Sequence, residues 1–106
     1  MADIVVTEAD RGRVASVKVG DALVIQLAET PSTGFRWTFA AIDTNILELT
    51  RDEFQVGAQV GVGGGGLRVL RFAVKGRGST RIEFRLMRSW ESAPPKAAFE
   101  VRVNAS

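Results

Sequence analysis

The sequence contains no histidine, no cysteine and no tyrosine, and the first two absences remove most catalytic chemistry. Without them there is no Ser-His-Asp or Cys-His nucleophile. Zinc sites built on Cys and His are excluded, as are disulfides and thiol redox chemistry. Carboxylates and arginines alone are a thin basis for an enzyme, so neither an enzyme nor a metal or other cofactor is expected. No run of about 18 apolar residues occurs, so no membrane-spanning helix is expected. The amino terminus, Ala2-Asp3-Ile4-Val5-Val6, has neither a basic n-region nor an apolar h-region. No signal peptide is therefore expected in this sequence. The chain belongs in the periplasm or outside the cell if a leader was removed ahead of it, and otherwise in the cytoplasm.

What is present fits one domain spanning residues 1–106. Hydrophobic residues make up 45% of the chain and charged ones 25%, the proportions of a soluble globular domain. The net charge of +2 is unevenly spread. Residues 1–66 hold five Lys/Arg against nine Asp/Glu, and residues 67–106 hold nine against three. In so small a domain the halves interleave, and one sheet face rich in arginine is expected, able to steer the chain toward an acidic partner.

Helical periodicity is missing throughout. Short segments alternate apolar and polar residues with period two, separated by Gly, Pro, Asp and Asn, which is the signature of strands. Ile4–Thr7 opens the series, followed by Val17 and Val19 and a Gly20-Asp21 turn. Leu23, Ile25 and Leu27 share one face, as do Phe35, Trp37 and Phe39. Leu47–Phe54 is more polar and suits a sheet edge. Leu70, Phe72 and Val74 alternate with Arg71, and after the Gly76-Arg77-Gly78 turn Thr80, Ile82, Phe84 and Leu86 alternate with Arg81, Glu83 and Arg85. Phe99, Val101 and Val103 close the chain. Seven or eight such strands, about ten residues apart, predict an all-β, immunoglobulin-like antiparallel β-sandwich.

Three connections stand out. Thr30-Pro31-Ser32-Thr33-Gly34-Phe35-Arg36-Trp37 combines a fixed proline φ, local Ser and Thr hydrogen bonding and a glycine able to take positive φ, a recipe for a short stiff loop. Trp37 is expected in the core. Gly61–Gly66 contains five glycines in six positions. It matches G-x-G-x-x-G literally, but the residues after it alternate as a strand, whereas the dinucleotide fingerprint requires a helix there. Arg88-Ser89-Trp90-Glu91 places a tryptophan in a polar loop, where it serves as a binding anchor or as a lid over the sandwich. Alternate connections lie at the same end of a sandwich, so the three form one edge.

In this order the blocks resemble the chagasin-type inhibitors of papain-like cysteine proteases, over roughly residues 15–103. The family pattern runs Asn-Pro-Thr-Thr-Gly-Tyr/Phe-x-Trp, then Gly-x-Gly-Gly, then Arg-Pro-Trp-Glu. Here Thr30 stands for Asn, Ser32 for Thr and Ser89 for Pro. The resemblance implies a reversible, tight-binding inhibitor forming a 1:1 complex with a papain-family protease. Thr30, Pro31, Ser32, Thr33, Gly34 and Phe35 would enter the cleft over the catalytic Cys–His pair. Gly63, Gly64, Gly65 and Gly66 would grip one flank, and Arg88, Trp90 and Glu91 the other. A monomer is expected, with no nucleic acid or membrane as partner. Two readings of other classes stand beside it. One is an adhesion or assembly module using the same loops; the other is a nucleic-acid binder using Arg68, Arg71, Arg81, Arg85 and Arg88, whose affinity would fall steeply with salt.

Overall fold

Alternation of buried and more exposed residues is clearest in the last two strands of the computed structural model, which describes residues 2–30, 34–56, 65–88 and 94–106. The strands are β1 (Asp3–Thr7), β2 (Val14–Val17), β3 (Ala22–Glu29), β4 (Phe35–Ala41), β5 (Leu47–Val56), β6 (Gly66–Val74), β7 (Gly78–Arg88) and β8 (Ala97–Ala105). A three-residue 3-10 turn, Glu8–Asp10, lies between β1 and β2. The strands form two four-stranded sheets, ordered β1-β3-β6-β5 and β2-β8-β7-β4. This is the predicted all-β sandwich.

Two details depart from the sequence reading. β1 pairs with β3 and β2 with β8 in parallel, because the chain changes sheets at the Glu8–Gly12 turn instead of folding back as a hairpin. The remaining pairings are antiparallel. Val19 belongs to no strand: it is 45% exposed, in a turn where Asp21 donates its amide to the Lys18 carbonyl at 2.9 Å.

The core is the set of inward positions of both sheets. Leu23, Ile25, Leu27, Leu47, Phe72, Ile82, Phe84, Phe99 and Val103 are completely buried, each large apolar side chain contributing about 1.5–3 kcal/mol by leaving water. Trp37 is buried among them, as its alternation predicts. Phe39 has the same parity but stays 41% exposed. It sits on the edge strand β4 beside a bulge at Ala40, its ring 6.0 and 4.9 Å from those of the core residues Phe72 and Phe84. β5 is an edge strand, as its polarity suggested, and carries a bulge at Thr50. Bulges and short partners blunt edges against pairing with other chains.

Exposed Arg36, Arg81, Arg85 and Arg102 share the outer face of the β2-β8-β7-β4 sheet, as expected, but the five arginines considered for nucleic acid do not lie on one face. β6 and β7 are consecutive but lie in different sheets, which separates Arg68 and Arg71 from Arg81, Arg85 and Arg88. Arg71 pairs with Asp3 at 2.9 Å, Arg81 with Glu100 at 3.5 Å and Arg85 with Glu83 at 3.9 Å.

Candidate functional site

Strand pairing brings the feet of the three singled-out connections to one end of the sandwich. Loop 30–34 leaves the first sheet at Glu29, whose strand partner is Gly66, the first residue of β6 after the glycine-rich connection. It enters the second sheet at Phe35, whose partner is Arg88, the last residue of β7 before the third connection. Val56, where the glycine-rich connection begins, also pairs with Gly66. The first loop therefore bridges the sheets, and each of its feet is hydrogen-bonded into the strand that carries a neighbouring loop.

Of the residues the sequence nominated, Thr30, Gly34, Phe35, Gly65, Gly66 and Arg88 can be placed, and all six lie at this end. Pro31, Ser32, Thr33, Gly63, Gly64, Trp90 and Glu91 lie outside the described residues. Gly34 has φ 80°, a conformation in which a side chain is strained. A Cβ on Gly65 would stand 3.5 Å from Thr30 Oγ1, an ordinary contact, so Gly65 lies beside Thr30. Phe35 lies beneath two cations: the Arg88 guanidinium is 4.3 Å and the Lys96 ammonium 4.9 Å from its ring centroid. Such contacts contribute about 0.5–1 kcal/mol each at exposed sites. They link the first loop's foot to both feet of the third, since Lys96 also donates its amide to Leu86 O at 2.9 Å.

Below the loops the core ends in charge. β3 keeps its inward parity through Leu23, Ile25 and Leu27 to Glu29, which is only 3% exposed. Its carboxylate accepts the backbone amide of Trp37, from the opposite sheet, at 2.9 Å. It also accepts from the Arg68 guanidinium at 3.2 Å. Arg68 turns its other edge to Asp52 on β5, Nη2 donating at 2.8 Å, and the Asp52 carboxylate, ahead of Glu29, raises the arginine pKa above its ordinary value. Trp37 completes the arrangement by donating its indole N–H to Ala28 O at 2.9 Å. Breaking a buried pair of this kind from one side typically costs about 3–5 kcal/mol, because a charge is left without a partner. Sequence reading passed over Glu29, Asp52 and Lys96. The signal for Glu29 was available: it is two residues beyond Leu27, on the face that period two makes the inner one.

A sequence profile of the chagasin family of peptidase inhibitors, I42, matches residues 16–103. Chagasin of Trypanosoma cruzi is 29% identical over 90 residues, which span 80% of this chain and 81% of that protein. Among solved structures, the cysteine protease inhibitor EhICP2 from Entamoeba histolytica superposes with a TM-score of 0.92 at 24% identity, over 99% of this chain and 96% of that one. PbICP-C, solved in complex with falcipain-2, superposes with a TM-score of 0.69 at 14% identity, over 98% and 89%. These two structural likenesses concern the fold. The profile covers most of the chain, and the chain belongs to the chagasin family of peptidase inhibitors.

Proposed function

We propose that the chain inhibits papain-family cysteine proteases by inserting the 30–34 loop into the active-site cleft while its two neighbours hold the rims. The observation that carries this reading is the shared foundation of the loops: Glu29 pairs with Gly66, Phe35 pairs with Arg88, and Gly65 lies beside Thr30. Pro31, Ser32, Thr33 and Gly34 form the plug. Gly63 to Gly66 let backbone lie close against one rim, and Arg88, Trp90 and Glu91 contact the other. EhICP2, a cysteine protease inhibitor, and PbICP-C with falcipain-2 support a protease of this class as the partner.

This mode of action requires only shape. A plug that occupies the cleft needs no nucleophile or metal, and a chain without His or Cys can supply it. Association costs free energy partly through the ordering of loops, and feet fixed in paired strands lower that cost. The complex is reversible, one inhibitor to one protease.

The test is a titration of papain, read with a fluorogenic substrate, by the wild-type protein and by the Ser32→Asp/Thr33→Asp variant. Near-stoichiometric loss of activity with the wild type, abolished in the variant, is the expected result. Absence of inhibition of papain and of a cathepsin-L-like enzyme at micromolar concentration would overturn the reading in favour of an adhesion module using the same loops.

A further inference from the structure

The Glu29 carboxylate occupies the inner layer of the sandwich at the point where the strands carrying the first two loops meet. It reaches Trp37 N on β4, three residues beyond Gly34, and Arg68 on β6, two residues beyond Gly66. Arg68 extends the chain of contacts to Asp52 on β5, four residues before that strand ends at Val56. One side chain thus connects the outgoing and returning strands of the 30–34 loop across the two sheets, and connects both to the strands on either side of the glycine-rich connection. An apolar residue at 29 would continue the core begun by Leu23, Ile25 and Leu27, but would set neither distance nor direction between the sheets. A charged hydrogen-bonded cluster does both, since its bonds are directional and short.

We propose that Glu29 is a positioning residue for protease binding: with Arg68 and Asp52 it fixes the relative placement of the first two loops before the protease is met. This rests on the three-loop reading above. If only a fraction of free molecules hold the loops in the binding arrangement, affinity falls by that fraction, so loss of the cluster weakens inhibition without requiring any contact between Glu29 and the protease.

Two variants separate positioning from mere stability. Glu29→Gln keeps an acceptor for Trp37 N–H and removes the charge that holds Arg68. Glu29→Gln/Arg68→Met keeps that acceptor and removes both charges of the pair, a replacement of a kind that commonly preserves stability. Each is measured for Ki against papain, for Tm, and for amide exchange at Trp37 and Gly66 beside Val101 and Val103 as a reference. The expected result is a double variant with Tm close to wild type, a Ki raised at least about tenfold, and faster exchange at Trp37 and Gly66 alone, with Glu29→Gln intermediate. A double variant that inhibits as strongly as the wild type would overturn the proposal. If the wild type itself fails to inhibit papain, the loop reading fails and amide exchange decides: unchanged exchange at Trp37 and Gly66 in the double variant rejects the positioning role, and selective acceleration there upholds it.

Discussion

Gly76 shows how much a single position depends on its neighbours. The sequence identifies it only as part of a Gly-Arg-Gly turn. In the fold its amide and that of Lys75 both donate to Ile46 O, at 3.3 and 2.9 Å, and a Cβ there would stand 2.3 Å from the Asn45 carbonyl oxygen. Backbone blocks the space, so no rotamer change relieves the clash. Gly76→Ala is expected to destabilise the protein by about 1–3 kcal/mol, the usual cost of overpacking, measured by urea unfolding. An unchanged midpoint would mean that the 43–46 turn yields freely. Glu29 is the opposite case. Its inner-face parity could be read from the sequence, but nothing in the sequence paired it with Arg68, 39 positions away.

At the scale of elements, period two located most of the strands and put most of the right residues on the inner faces, because a half-buried strand leaves that pattern wherever one face meets the core; Val19 and Phe39 are the exceptions. Edges were harder. The bulges at Ala40 and Thr50 shift parity within β4 and β5, and no local sequence rule announces them. The turn joining β2 to β3 makes its own prediction. The Asp21 carboxylate accepts the amides of Lys18 and Ala2, each at 3.0 Å, and these bonds, Lys18's first, hold its pKa below the ordinary 3.8. A depressed folded-state pKa stabilises fully above the unfolded value and is lost as pH falls through the folded one. Asp21→Asn should therefore be less stable than wild type near neutral pH, and the difference should close as pH falls from about 4 toward about 2. Urea titrations at both ends check this; a gap independent of pH would detach the turn's stability from the charge.

At the scale of the whole molecule, closure depends on the last strand. β8 lies between β2 and β7, and Phe99, Val101 and Val103 from it are almost wholly buried. A chain ending at Glu100 is expected to lose its cooperative fold, because β2 keeps no partner and much of one core face is removed. A dispersed amide NMR spectrum from that truncation would refute the expectation. Composition, parity and three ordered loop motifs were enough to exclude nucleophiles and zinc sites built on His and Cys, to predict the sandwich, and to indicate a family of protease inhibitors. Each of these is written in local order, as a missing residue type, a two-residue period or a contiguous motif. The assignment of β6 and β7 to different sheets, the separation of Arg68 and Arg71 from the arginines of β7, the close approach at Gly76 and the Glu29–Arg68–Asp52 cluster were settled only by the tertiary fold. They depend on which distant strands become neighbours, and that is decided by burial of the whole core at once, across separations no local pattern encodes.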